Sequence, residues 1–520
     1  MNDLARDIPL LSLLVVVPTL AALVLAVVPG TAVKALRWIA GVATGLTTLF
    51  AVILVMGFNR ADPGLQFVSQ HDWIPAFGIS WKLGVDGISL FLVALSALIF
   101  LLAVHWPRVT ENLKTYLAWM LALEAGCIGA FLAQDLFLFF VCFEVVLVPM
   151  YFLIGGWGLA DRGKAALKFF LYTLAGSAFL FVGMLALVLI TAQSAGGDVT
   201  FDIAALAAAD GVNATEARWL FVAFAIAFAV KIPIFPVHTW LPLTYSQAPI
   251  AGLVVSSAVM VKLGTYGLIR FAVSLFPEAA AEIGPWMLTL AVIGMVYGAI
   301  VAAMQNDLRR LLAYSSLSHL GFVVMGTFAF SPEALTGAVL QMINHGITAA
   351  ALFFLLGMVI QRYGSSDVTV LKGIQKLTPV LAGFFTVAVM SSVGVPGLNG
   401  FVGEFLILSG TFVTNRWWAV VGTATIVLAA IYLLWAYQRG FHGEPSIAVS
   451  ERPKDLGRGE KLVLAPLMFL IVFLGVYPQP VLDRIEPTVD RILEQTPDYV
   501  ATEDSTQPAS AELPVLEGQP

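Results

Sequence analysis

The sequence predicts an all-α, polytopic membrane protein of about fourteen transmembrane helices, and three observations carry that expectation. Of its 520 residues, 59% are hydrophobic and only 12% are Asp, Glu, Lys or Arg, about half the charge of an ordinary soluble domain. Mean hydropathy is +0.90. Apolar runs of about 20 residues, the length that crosses a bilayer, recur along the chain. So few charges cannot clothe a globule of this size in water, so lipid must solvate most of it.

The same numbers exclude several functions. A net charge of -6 with no basic cluster removes nucleic-acid binding. Cys127 and Cys142 both lie inside apolar runs and form no ligand spacing, so iron–sulfur, zinc and disulfide frameworks are not expected. No GxGxxG or P-loop is present. The chain is expected to bind no redox cofactor and no metal.

Approximate span limits are 8–29, 36–58, 84–105, 113–133, 136–156, 165–192, 217–243, 249–276, 285–304, 308–330, 333–361, 379–411, 416–438 and 461–478. The first run is longer than a signal-peptide core and reads as a retained span. An extracytoplasmic loop is expected before span 3. After Tyr477 the composition turns to Pro, Glu, Asp, Ser and Thr, which predicts an extramembrane, disordered tail over 479–520. The expected division is 1–112 for spans 1–3, 113–276 for spans 4–8, 277–438 for spans 9–13, 439–478 for a loop and the last span, and then the tail.

Alternate connections test this map. Arg6, Arg60, Lys82, Arg218, Arg416, Arg484 and Arg491 fall on one side, 7 in all, against 17 on the other. The positive-inside rule makes the richer side cytoplasmic and turns both termini outward. That leaves Lys231, Lys262 and Arg270, which fall within spans and belong to neither side. Such a residue costs roughly 2.5–3.5 kcal/mol at a helix centre, so each needs a partner, water or a task. Arg270 lies near a helix end and is expected to snorkel to the interface as an anchor.

The intramembrane acids are Glu124, Glu144 and Glu404, and the intramembrane histidines are His238, His319 and His345. At about 1.5 Å per residue, Glu124, Glu144, Lys262 and His319 lie roughly 12–18 Å into their spans, near the bilayer middle. Helix breaks occur beside the same charges. Lys231 opens Lys-Ile-Pro-Ile-Phe-Pro, where Pro233 and Pro236 remove backbone donors. Glu404 follows Val395-Pro-Gly-Leu-Asn-Gly400, a poor helix. Irregular backbone at membrane depth is tolerated only inside protein or against water, as in secondary transporters.

Lys231 and Glu404 are 173 residues apart, Glu144 and His319 175. A shift of five spans reverses direction through the bilayer, so the spacing suggests two inverted five-helix repeats, each with a broken helix. Ser315 with His319, and Gln341 with His345 and Thr348, form polar stripes that extend the row.

Plainer readings compete. Glu144 with Lys231 serves equally well as a structural ion pair, and the other groups at the same depth are what tip the balance to function. His345 reads as a pathway residue or as a packed, hydrogen-bonded histidine, His238 as an entry site or a helix cap, and Glu124, which has no evident partner, as a further relay candidate or a merely buried acid. Trp417 and Trp418 read as interface anchors, and His71, His105 and His442 as solvated. Asn213-Ala-Thr215 matches a glycosylation sequon only weakly.

Several stretches together resemble the antiporter-like subunit M, or chain 4, family of respiratory complex I. They are Val237-His-Thr-Trp-Leu-Pro242, Gln247-Ala-Pro-Ile-Ala-Gly252, Val261-Lys-Leu-Gly-Thr-Tyr-Gly267, Asp307-Leu-Arg-Arg-Leu-Leu-Ala-Tyr-Ser315, Ser318-His-Leu-Gly321 and Pro396-Gly-Leu-Asn-Gly-Phe-Val-Gly-Glu404. The resemblance spans spans 3 to 13. It implies a proton-carrying membrane-arm subunit of NADH:quinone oxidoreductase in a bacterial-type cytoplasmic membrane. FMN and iron–sulfur clusters would lie in other subunits, and the partners would be other membrane-arm subunits, including antiporter-like sisters.

The resemblance also implies roles for residues. Glu144 matches the acid of span 5, Lys231 the broken-helix lysine, Lys262 the lysine of span 8, His319 the central histidine and Glu404 the acid of the second broken helix. Leu243 and Tyr245 depart from the pattern, standing where relatives often have an acid or polar residue and a histidine. The alternative is an autonomous monovalent cation/proton antiporter of the Mrp type, or a membrane-bound hydrogenase subunit. Quinone reduction by this chain itself is disfavoured, since it offers no electron donor.

Overall fold

A computed structural model describes residues 9–106, 109, 111–194, 196–445 and 453–496. It is a bundle of helices, most of them running the depth of a bilayer. The N-terminal group comprises α1 (Leu10–Val27), α2 (Val33–Gly57), α3 (Gly87–His105) and α4 (Leu113–Leu132), followed by the pair α5 (Leu136–Val145) and α6 (Leu147–Trp157) and the long α7 (Arg162–Ser194). Next come α8 (Ala214–Lys231), α9 (Trp240–Gln247), α10 (Ile250–Val273) and α11 (Pro277–Ala303). The remainder are α12 (Leu308–Thr327), α13 (Pro332–Tyr363), α14 (Pro379–Val393), α15 (Asn399–Thr414), α16 (Arg416–Phe441), α17 (Arg458–Val476) and α18 (Gln479–Leu493).

Among the described residues, eleven helical stretches are long and apolar enough to cross a membrane. The other three expected spans coincide with α8–α9 and α14–α15, both interrupted, and with α12, which carries Arg309, Arg310, three serines and His319. α10 is wholly enclosed by protein, whereas only a third of α2 is. The centre is therefore polar-tolerant protein and the rim apolar, with Trp38, Trp219, Trp286 and Trp417 all more than 70% exposed. An apolar rim of this kind suits contact with lipid or other membrane helices.

Both expected breaks are present, and each is closed by side chains. Lys231 is the last residue of α8, and the turns to Thr239 follow. The Trp240 indole donates to the Val230 carbonyl at 2.9 Å, satisfying backbone left over by the break. The second break runs from Gly394, in the left-handed region at φ 83°, to Leu398. Lys231 thus ends the first half of its broken helix, while Glu404 lies six residues into the second half of its own.

Two features differ from expectation. The loop before α3 is a β-hairpin, Gln66–Ile74 paired antiparallel with Ile79–Val85. Its turn needs Gly78, which has φ 66° and would place a Cβ 2.0 Å from the Val199 carbonyl. Asp135, the N-cap of α5, accepts from Ser80 N at 2.9 Å and binds the hairpin to the bundle. Secondly, the polar segment after Tyr477 is not a disordered tail throughout. Residues 479–493 form α18, which buries Val481, Ile485, Val489 and Ile492 at helical spacing against α3 and α13. Its mixed composition hid an amphipathic stripe. The remainder of the expected tail, 497–520, lies outside the described residues.

Candidate proton-relay site

The polar centre is assembled by three elements that cross the core. α10 supplies Lys262, α12 His319 and α13 His345, while α15 brings Glu404 in from the second break. The Lys262 ammonium approaches His345 Nδ1 at 2.7 Å and also donates to the Ser257 carbonyl. His345 and His319 have ring centroids 6.0 Å apart. His319 Nδ1 meets Glu404 Oε1 at 2.7 Å, and Gln341 Nε2 donates to the same oxygen at 3.0 Å. These contacts join Lys262, His345, His319 and Glu404 into one continuous row.

Tautomers follow from the partners. An ammonium can only donate, so His345 Nδ1 accepts from Lys262. Against the carboxylate, His319 Nδ1 donates, leaving Nε2 for the Ser392 hydroxyl at 3.4 Å. A narrow cavity lies along the row, bounded by Ser315, Ser316, Gln341, Asn344, Thr348 and the two histidines. Gln341 Oε1 and Asn344 Oδ1 are buried there without a protein partner. Among the described residues no direct hydrogen bond joins the two imidazoles, and the cavity that both line has room for a water.

Local structure explains the placement of Lys262. α10 is not uniform: Ser256–Met260 and Leu268–Val273 adopt π-helical hydrogen bonding on either side of it. Val261 N bonds the Ser256 carbonyl, five residues back. Such bulges re-aim side chains and concentrate at functional sites. Gly264 lets α10 press against the first break, because a Cβ there would lie 2.9 Å from Ile232 N.

Lys231 and Glu144 form a looser group. The Lys231 ammonium lies over the Phe143 ring, 4.4 Å from its centroid, next door to Glu144. No ion pair within 4.0 Å joins Glu144 to Lys231 among the described residues, and Glu144 is only half-buried with Oε1 unpartnered. The direct structural pair is therefore not formed in this conformation. Among the described residues no hydrogen bond links Lys231 to Lys262. Glu124 is fully buried in α4 with neither oxygen partnered. His238 lies at the first break, packed on Phe235 and Tyr297 with Nδ1 unpartnered. Tyr245 is buried against Phe353, and Leu243 packs partly buried beside it.

The reading of Arg270 as a snorkelling anchor is overturned. It is 7% exposed and pairs with Asp86, the fully buried N-cap of α3. Arg491 of α18 stands 3.9 Å from the same carboxylate. Burial is the largest single influence and would raise the Asp86 pKa, but Arg270, the Ser89 backbone N–H and Arg491 together outweigh it and hold the carboxyl below its ordinary value. Asp86 before an apolar run signals only a cap, so its long-range partner was not legible. Asn213 proves to be the capping-box residue of α8, with Glu216 as its reciprocal partner. Sequence reasoning also missed Asn344 and Asn399. Asn344 Nδ2 donates to the Asn399 carbonyl at 2.7 Å and Asn399 Nδ2 returns to Asn344 O at 3.1 Å, which locks the second break to α13. Glu404 Oε2 faces that break, 3.3 Å from where a Cβ on Gly394 would be.

A family model described as NADH:quinone oxidoreductase/Mrp antiporter, TM matches residues 133–429, more than half of the chain. The chain belongs to this NADH:quinone oxidoreductase/Mrp antiporter membrane family. One relative, the NADH-quinone oxidoreductase subunit M of Mycobacterium tuberculosis, is 39% identical, with 94% of each chain covered. Among solved structures, respiratory complex I from Thermus thermophilus with bound NADH contains a chain similar at TM-score 0.84 and 30% identity, covering 93% of this chain and 99% of that one. A chain of the Mrp complex from Dietzia sp. DQ12-45-1b shares the fold at TM-score 0.82, with 23% identity over 95% and 98%. The antiporter-like resemblance read from the motifs is thus correct, and the chain is an integral membrane protein of that family.

Proposed function

We propose that this chain is a proton-translocating membrane-arm subunit of a NADH:quinone oxidoreductase, carrying protons and no electrons. The observation that bears the most weight is the line Lys262–His345–His319–Glu404, in which two direct contacts flank the gap between the imidazoles. Each member exchanges a proton without leaving its place, so charge moves while the helices stay packed. Subunit M relatives identical at 39% over nearly the whole length support assignment to the oxidoreductase.

In this reading Glu144 biases Lys231. A carboxylate near a lysine raises its proton affinity, whereas desolvation lowers it. When the Glu144 charge is withdrawn, Lys231 releases its proton toward Lys262, across the region where Gly264 brings α10 against the break. His345 then links Lys262 to His319, and Glu404 receives the proton last. Glu124 and His238 are the candidate side groups, His238 on the inlet beside Lys231. FMN and iron–sulfur clusters belong to other subunits, and the cation-rich connections face the cytoplasm with both termini outside.

The complete complex reconstituted in liposomes tests this reading. Lys231→Ala, Glu144→Ala and Glu404→Ala are each expected to lower the protons pumped per electron, and an unchanged ratio in all three rejects the relay. A monovalent cation/proton antiporter is the alternative that the Mrp-like fold keeps in view. Purification separates the two, because only the first requires a flavin- and iron–sulfur-bearing arm to accompany the chain.

A further inference from the structure

Two narrow cavities lie end to end in the second half of the bundle. One is the polar cavity at His319 and Glu404. The other is apolar, bounded by Leu308, Phe385, Val389, Tyr437 and Phe441 among others. Only Leu312 and Leu352 line both. The apolar cavity is lined by the first turn of α12, the middle of α14, the last turns of α16 and Leu352, about three turns before the end of α13. The ends of these helices on that side carry Arg309, Arg310, Arg362, Lys376 and Arg439 on or beside them, so this cavity lies on the cation-rich side of the relay.

Polar groups stand on both sides of the two leucines. Toward the relay, Ser315 Oγ accepts from the Tyr432 hydroxyl at 2.8 Å. Toward the cation-rich side, Tyr437 and Thr386 share a hydrogen bond of 2.6 Å. The two residues common to both linings come one from each of two helices, and both are 4% exposed. An apolar septum of such residues stays dry, and gates of this kind open by wetting. A continuously polar path here would connect the relay to both faces at once and dissipate the gradient that it builds.

We propose that Leu312 and Leu352 form a hydrophobic gate on a second inlet, which delivers protons from the cation-rich face to His319 and Glu404 without passing Lys231. The proposal rests on the relay reading above and adds an access route to it. When the septum wets, water joins Tyr437 and Thr386 to Ser315 and His319. When it dries, the row is sealed on that side.

The test uses the whole oxidoreductase complex in liposomes with Leu312→Ser, Leu352→Ser and the double variant. Without NADH, an imposed pH gradient is expected to collapse about tenfold faster, since one leucine's preference for dry surroundings is removed. Adding Glu404→Gln to the same chain should return the leak to the wild-type rate. With NADH, oxidation should continue while protons pumped per electron fall. Wild-type leak and stoichiometry in an assembled double variant overturn the gate, as does a leak that survives Glu404→Gln. A similar leak from Leu433→Ser, which lines the apolar cavity alone, also overturns it by showing mere loosening. If the serine variants fail to assemble, Leu312→Cys is treated with a small cationic thiol reagent. Reaction from the cation-rich face supports the inlet, and reaction only from the opposite face rejects it. Intact stoichiometry in Glu404→Gln as well as in Lys231→Ala and Glu144→Ala would instead remove the relay, so the two failures are distinct.

Discussion

His345 joins the two halves of the row: Lys262 binds one of its nitrogens, and its ring faces His319. Replacing it with leucine keeps the bulk and removes the relay, so His345→Leu should uncouple pumping from NADH oxidation more severely than His238→Leu. Proton-to-electron ratios in liposomes check this. Asp86 and Arg270 make a different kind of pair. Arg270→Ala leaves a carboxylate buried beside α3 and should cost about 3–5 kcal/mol, with much of that returned by adding Asp86→Asn. Thermal unfolding of the purified complex measures both. Because the folded pKa of Asp86 is depressed, its stabilising contribution is present above the unfolded carboxylate value of about 3.9 and is lost only as pH falls through the lower folded one. Mild acid should therefore leave this pair intact. At this scale the sequence was readable for Lys262, His319 and Glu404, because a charged or imidazole group within an apolar run stands out. Asp86 and Asn399 were hidden, since a cap and a turn explain them locally and their partners are remote in sequence.

The elements show where apolar periodicity carries information and where it stops. Interruptions at Pro233, Pro236 and Pro396 were visible, because proline removes a donor whatever surrounds it. The π-helical stretches of α10 were not, since Ser256–Met260 has the composition of any buried helix. They depend on how α10 meets α3, α8 and α13. Gly264→Val should push α10 off the first break and reduce pumping, although the residue carries no charge. The readout is the proton ratio, with assembly followed by native gel. α18 has its own pH dependence. Its Glu486 and Asp490 carboxyls are raised, by partial burial first and then by acidic neighbours such as Asp483 and Glu494. A raised folded pKa favours docking at low pH and weakens it as pH climbs through that value. Protection factors for amide exchange in 479–493, corrected for the intrinsic rate, should therefore rise as pH drops through the raised folded values toward the unfolded carboxylate values of about 4.

For the whole molecule, composition alone revealed the solvent, and span counting came close to the architecture. What it could not give was the gradient of enclosure, in which α10 is fully surrounded while α2 is mostly open. That gradient arises from tertiary packing, and both helices are simply apolar in the sequence. Exposed rim residues such as Val148 and Phe152, on the same side as Glu144, leave room for a neighbouring membrane chain. Removing neighbouring membrane subunits from the complex should accordingly raise hydrogen exchange in 144–152 more than in α10.

Glu404 treats its two oxygens unequally. Oε1 is occupied by donors from α12 and α13, whereas Oε2 is turned to the backbone kink at Gly394. Under the proposed relay, an incoming proton would settle on the less engaged atom, on the kinked side of the carboxyl. Loading the acid that the proposal puts last would then be felt first by the hinge of its own helix, and any bend in that hinge would alter in turn how firmly the load is held.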